Sequence, residues 1–274
     1  MDDIPFSGIR KVFEAAGQLE KQGKDIINLG IGRPNFDTPA HIKEAAKKSL
    51  DEGNVFYTSN YGTEGLRSAV AEKLKRDNGL DYEMTDVIVT VGANQAVSIA
   101  MTALLDPGDE VLVPNPSWLH YFYCADLVGA KTVSYPLLEE NGFNVIPEDI
   151  EKLVTPKTKM VIVNSPNNPT GSILSKESLQ AIADIANKYD LIVLSDEIYE
   201  KLIYDDSVHY SIASLDGMKE RTVLIHGVSK SYSMTGWRIG FAVSANKEFI
   251  SAMIRVLQYT VTCANSFAQD GAEA

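Results

Sequence analysis

A chain of 274 residues, 45% hydrophobic and 23% charged, is long enough to bury a large core and has the composition of a globular protein. Its formal charge of −12 argues against nucleic acid or an anionic membrane as the main partner. The two cysteines, Cys124 and Cys263, form neither a disulfide framework nor a metal-binding pattern, which together with the acidic N-terminus "MDDIPFSGIRKVF" predicts a cytoplasmic protein without a leader.

The first forty residues read as an N-terminal arm. "TPAHIKEAAKKSLDEG" then predicts a helix with Thr38 as N-cap, Pro39 at the first helical position and Gly53 as the stop. "TEGLRSAVAEKLKRDNG" repeats that logic, with Leu66, Val70 and Leu74 on one face. The uncharged stretch Val87–Leu105 is long enough to raise a membrane question. Its β-branched first part and its Gly92, Asn94 and Gln95 break make it a strand, a turn and a buried helix instead. Further apolar runs follow: "EVLVP", "TVSYP", "KMVIVNSP", "LIVLSDE", "TVLIHG" and "GFAVS". A helix in "SKESLQAIADIANKYD" turns Leu179, Ile182 and Ile185 inward. Apolar strands alternating with amphipathic helices predict an α/β fold: a mostly parallel sheet covered by helices on both faces, in three α/β/α layers. In such sheets ligands bind at the carboxyl ends of the strands, so the residues just after each run are the candidates for chemistry.

Gly92-Ala93-Asn94-Gln95 follows the first run and opens a helix, a turn whose free N–H groups suit a phosphate. Trp118 follows the second; it is either a half-buried core residue or a plate for a flat ring. "SPNNPTG" follows "MVIVN", a turn constrained well beyond an ordinary connection, with Asn168 as a possible amide donor. Asp196 and Tyr199 follow "LIVLS", and "SKSYSMTGWRIG" follows "TVLIHG" with Lys230 and Arg238. Taken singly, each has an ordinary surface or core reading. Taken together, they offer an amine nucleophile, a carboxylate, a phenol, an amide, an aromatic plate, a guanidinium and an N–H-rich turn. Pyridoxal 5′-phosphate requires that set: the amine forms the Schiff base, the carboxylate keeps the ring nitrogen protonated, and the cations and amides hold the phosphate.

From about Ile4 to its last residue the chain resembles the class I/II aminotransferases of pyridoxal-phosphate fold type I, in particular their aspartate-aminotransferase-like branch. "INLGIGRPNFDTP", "SPNNPTG", "SDEIYE" and "SKSYSMTGWRIG" match that family's segments in order. The resemblance implies Lys230, Asp196 and Tyr199 as catalytic residues, with Lys230 as the Schiff-base lysine that also moves the substrate's α-proton. It implies that Asp196 pairs with the ring nitrogen, that Tyr199 and Asn168 bond the ring oxygen, and that Trp118 stacks on the ring. Arg238, Ser229, Ala93 and Asn94 would hold the phosphate, and Tyr57 would reach the neighbouring subunit's site in a homodimer. Gly32, Trp118 and Asn168 would line the substrate, an amino acid or its 2-oxo acid partner.

Three positions depart from the family pattern. Gly227 stands where many relatives have a phosphate-binding serine, and Asn94 and Ile9 stand where some relatives specific for acidic substrates carry a lysine and a polar residue. These departures widen the expected substrate to neutral or aromatic amino acids. The chain stops in an Ala-rich helical stretch, and no arginine follows Arg255. It therefore reads as an arm (1–40) and a large cofactor-binding domain (41–274), with the family's C-terminal small domain and its carboxylate clamp missing. The leading function is transamination. The alternatives are other chemistry on the same cofactor, β-elimination or decarboxylation, or a cofactor-binding fragment without turnover.

Overall fold

The computed structural model describes residues 8–27, 29–30 and 32–274, with side chains described from Val12 onward. In chain order it contains α1 (Gly8–Lys21), α2 (Ala40–Asp51), α3 (Glu64–Asn78), β1 (Val87–Thr90), α4 (Ala93–Leu104), β2 (Glu110–Asn115), α5 (His120–Leu127) and β3 (Lys131–Pro136). These are followed by α6 (Pro147–Glu151), β4 (Thr158–Asn164), α7 (Lys176–Tyr189), β5 (Ile192–Asp196), β6 (Thr222–Gly227), β7 (Gly240–Val243), α8 (Lys247–Thr260) and α9 (Ser266–Glu273). All the apolar runs read from the sequence are strands of one seven-stranded sheet, ordered β1-β7-β6-β5-β4-β2-β3. β3, β2, β4, β5 and β6 are parallel, and β7 runs antiparallel between β6 and β1.

Strand side chains alternate between the two faces of the sheet. Ile88, Val111, Val113, Ile162, Leu194, Ile225 and Ala242 form one core with α4, α5 and α8. On the opposite face, Val87, Val89, Leu224, Phe241 and Val243 pack with α3 and residues of α2 and α9. Beside them Leu112, Val161, Val163 and Val193 pack on α7 and Ile150 of α6. Leu66, Val70 and Leu74 point into the second of these cores, and Leu179, Ile182 and Ile185 into the third, as the periodicity predicts. The uncharged stretch Val87–Leu105 divides into β1 and α4, and among the described residues no helix is long and apolar enough to cross a membrane.

One local expectation is overturned. Thr38 does not cap α2: the cap position is Pro39, whose ring carries no oxygen to accept the free amides. The Thr38 hydroxyl donates instead to the carbonyl of Ser233, 2.6 Å away and 195 residues later in the chain. A long-range acceptor has won over the local cap.

Candidate active site

The parallel strands end level with one another. Asn164 pairs with Asp196 in register, and Asp196 with Ile225 one strand over. The amide of Ser165 and the Asn164 side chain both donate to the Asp196 carbonyl, at 3.3 and 3.0 Å, and the Glu197 amide donates to Ile225 at 3.0 Å. These bonds tie the three strand-end turns, around "SPNNPTG", "SDEIYE" and "GVSKSYS", into one floor.

Asp196 is 2% exposed. Its carboxylate accepts 2.7 Å from the Tyr121 hydroxyl and 3.2 Å from the Ile198 amide, and no lysine or arginine among the described residues pairs with it. Burial raises its pKa; the Tyr121 and Ile198 hydrogen bonds and the nearby His226 pull the other way. Tyr121 was not anticipated from the sequence. The signal available was position alone, three residues after Trp118 and one helical turn into the same segment. Trp118 lies edge-on to Tyr121 at 5.5 Å and tilted against His120 at 4.5 Å between centroids.

On the neighbouring strand end, Asn168 Nδ2 donates to the Tyr199 hydroxyl at 3.4 Å. Lys230 Nζ sits 5.7 Å from the centre of the Tyr199 ring and donates to the Gly32 carbonyl, so the N-terminal segment passes over the lysine. Burial, followed by the positive charge of Arg238, holds the Lys230 pKa below that of an ordinary lysine, which favours the free amine. Ser229, just before it, is buried, and its carbonyl accepts the Met234 amide at 3.2 Å.

Arg238 closes the other end. Its guanidinium donates to the Thr235 and Val91 carbonyls at 3.0 and 3.3 Å, and no carboxylate among the described residues pairs with it. It lies against Gly92, where a Cβ would meet Nη2 at 2.3 Å, and Gly92 has φ +81°. The turn is pressed from beneath as well: a Cβ on Gly240 would lie 2.3 Å from the Ala93 nitrogen. The Ala93 and Asn94 amides, at the first turn of α4, have no hydrogen-bond acceptor among the described residues, while the Asn94 carbonyl accepts from the Ser98 hydroxyl at 3.1 Å and lies 3.2 Å from His120 Nε2. A guanidinium beside two free amides at a helix N-terminus suits a dianion.

The residue set therefore fits pyridoxal phosphate: a buried carboxylate with no cation partner, a half-buried amine with a lowered pKa, and an anion cradle a short distance along the same loop. Gly227, the departure from the family pattern, has a packing reason. A Cβ there would sit 3.1 Å from Gly240 Cα, Ile198 Cδ1 and the Ile239 carbonyl. Tyr57 is not brought to the site within this chain; it is 88% exposed on the loop before α3, beside the exposed Val55 and Phe56. Ile9 falls in α1, and its side chain lies outside the described residues. No group of three or more metal-ligating His, Cys, Asp or Glu side chains occurs among the described residues.

Comparison with known proteins agrees with this geometry. Residues 24–274 match the family model described as aminotransferase class I and II. The chain is 49% identical over 270 residues to an aspartate aminotransferase of Pyrococcus abyssi, covering 98% of this chain and 68% of that one. It is 47% identical over 264 residues to aromatic-amino-acid aminotransferase 2 of Thermococcus litoralis, covering 96% and 67%. Its fold superposes on the aspartate aminotransferase of Thermus thermophilus solved with maleate with a TM-score of 0.95 at 41% identity, covering all of this chain and 71% of that one. The chain thus spans about two thirds of the length of these relatives.

Proposed function

The chain belongs to the class I and II aminotransferases, and from that premise we propose that it moves an amino group between an amino acid and a 2-oxo acid on pyridoxal phosphate held at Lys230. The observation that carries this reading is Lys230 itself. Its pKa is lowered by burial and by the charge of Arg238, and its Nζ lies 5.7 Å from the centre of the Tyr199 ring, under the Gly32 carbonyl.

When bound, pyridoxal phosphate supplies an electron sink for the charge that develops at the substrate α-carbon. This chain's residues bind and orient it and move the proton. Arg238 with the Ala93 and Asn94 amides would bind the phosphate, with the buried Ser229 as a further contact. Asp196, whose charged form accepts from the Tyr121 hydroxyl, would hold the proton on the ring nitrogen. Tyr199 and Asn168 donate to the ring oxygen, and Trp118 covers the ring and excludes water. Lys230 Nζ, as the free amine, would take the proton from the substrate α-carbon and deliver it to C4′ of the cofactor, two bonds away across the nitrogen. Gly32 closes over the substrate side.

The relatives include enzymes named for aspartate and for aromatic amino acids. With Asn94 in the phosphate turn, the reading here is a donor range that includes neutral and aromatic amino acids. Residues 1–40 act as the arm and 41–274 as the cofactor-binding domain of a cytoplasmic homodimer in which the exposed Tyr57 reaches the partner's site. The experiment is titration with pyridoxal phosphate, borohydride reduction and peptide mapping, followed by an amino-acid panel with the amine product measured. Pyridoxyl mass on Lys230 and 2-oxo acid release from one donor are expected. Labelling without release from any donor would make the chain a binding fragment, and elimination or decarboxylation products would move it to another reaction of the same cofactor.

A further inference from the structure

The loop that carries Lys230 and Arg238 is held in an unfavourable backbone conformation. Ser233 has φ +55° and Arg238 φ +58°, both left-handed and neither glycine, and they bracket the short helical turn Thr235–Trp237. Each such residue costs about 1 kcal/mol or more, so contacts from outside the loop must hold it. One side chain contacts it at both strained ends. The Thr38 hydroxyl donates 2.6 Å to the carbonyl of Ser233 and accepts 3.2 Å from the indole nitrogen of Trp237, the residue immediately before Arg238. Thr38 is 8% exposed and is itself anchored, because its amide donates 2.8 Å to Asp37, which pairs with Lys43 of α2. Trp237 is wedged from the far side: a Cβ on Gly271 of α9 would meet its ring at 2.7 Å.

We propose that Thr38 is a positioning residue for the cofactor site. One hydroxyl, supplied by the segment that runs on from Gly32, fixes both strained ends of the Lys230–Arg238 loop and so sets where the amine and the phosphate-binding guanidinium stand relative to each other. A hydroxyl is required because the same oxygen must donate to a carbonyl and accept from an indole N–H, a combination that neither an ammonium group nor a methyl can supply. It also explains why Thr38 is not spent on capping α2. The contact joins the arm to the loop at a second place besides the Gly32 carbonyl on Lys230, so the arm's position and the loop's geometry are set together.

This inference rests on pyridoxal phosphate binding at Lys230 and Arg238, and its test separates the two. Thr38→Val keeps the shape and removes the hydroxyl, Thr38→Ser restores the hydroxyl, and Trp237→Phe removes only the indole donor. Pyridoxal phosphate dissociation constants are measured by titration, Lys230 labelling by borohydride and peptide mapping, and apoprotein unfolding by heating. Thr38→Val is expected to bind the cofactor roughly tenfold more weakly, Thr38→Ser within about twofold of the parent, and Trp237→Phe between them. The order of the three affinities should not follow the order of their unfolding temperatures. Thr38→Val binding at parental affinity, or a loss that only tracks a lower unfolding temperature, overturns the positioning role and leaves the cofactor reading intact. A parent chain that does not label at Lys230 overturns both. Should Thr38→Val fail to fold, the Trp237→Phe and Thr38→Ser affinities decide alone: parental binding by Trp237→Phe refutes the role.

Discussion

Tyr121 donates a 2.7 Å hydrogen bond to Asp196 from a position 75 residues earlier in the chain, and both side chains are buried. Helix α5 therefore supplies a hydrogen bond to the charged form of the carboxylate at the end of β5, working against the burial that raises its pKa. A neutral Asp196 could not hold a proton on a ring nitrogen.

Tyr121→Phe removes that donor without changing the ring. Hydrogen bonds to charged groups contribute about 1.5–3 kcal/mol, so kcat/KM is expected to fall roughly ten- to a hundredfold. The sign of the pH effect is fixed by the same bond. The phenol holds the Asp196 pKa down against burial, so its loss raises that pKa and moves the acidic limb of kcat/KM to higher pH. A pH–rate profile checks this; an unmoved acidic limb would show that Tyr121 acts through packing alone.

The Gly92 contact with Arg238 makes a second, independent test. Gly92→Ala places a methyl within 2.3 Å of Nη2 at a residue with φ +81°. The backbone strain costs about 1–2 kcal/mol, and the guanidinium must move off the first turn of α4. Affinity for pyridoxal phosphate should fall at least tenfold, while affinity for pyridoxal, which lacks the phosphate, changes little. Parallel titrations with the two compounds give the comparison.

The sequence made the sheet legible because every strand but the edge strand β3 is almost wholly buried on both faces, and continuous apolar runs ending in turn residues have few other uses. Lys230, Asp196, Tyr199, Asn168 and Arg238 stand out because they lie at or after the ends of such runs, and the family motifs that contain them assign their roles. Partnerships were not legible. Nothing in "SWLHYFY" marks Tyr121 rather than Tyr123 as the donor to Asp196, because the choice depends on how α5 sits over β5. Thr38 was misread for the converse reason. A Thr-Pro pair is a strong local cap signal, yet a carbonyl brought in from residue 233 outcompetes it.

The pKa of Lys230 offers a third prediction, measurable without substrate. Burial and Arg238 both lower it. Arg238→Met removes one cause and leaves the other, so the Lys230 pKa should rise but stay below the ordinary lysine value of about 10.4. Reductive ¹³C-methylation followed by NMR titration of the Lys230 signal reads this directly. Cofactor attachment to Arg238→Met should correspondingly need a higher pH, because attachment proceeds through the free amine. A Lys230 pKa that stays put would mean burial alone lowers it.

The last prediction concerns stability behind the site. Glu200, at the end of the "SDEIYE" segment, is 4% exposed at its side chain and pairs with Lys73 of α3, which is 17% exposed. Asn78 donates to it at 2.6 Å, and His226 stands 3.3 Å away. Burial pushes the Glu200 pKa up, but His226, Lys73 and Asn78 together outweigh it and hold the carboxyl well below the usual range. Glu200→Ala leaves Lys73 buried without its partner, a change that costs about 3–5 kcal/mol. That corresponds to an unfolding temperature lower by roughly 10 °C. Glu44→Ala, which breaks an exposed pair with Lys47 (66% and 67% exposed at their side chains), should shift it by no more than about 2 °C. Because the folded pKa is depressed, the stabilisation is complete above the unfolded value of about 4.3 and is lost as pH falls below it toward the folded value. Glu200→Gln, which cannot ionise, should therefore show a flatter stability curve below pH ~4 than the parent. Denaturant unfolding from pH 3 to 7 measures both slopes, and parallel curves would mean that the ion cluster contributes nothing through the Glu200 charge.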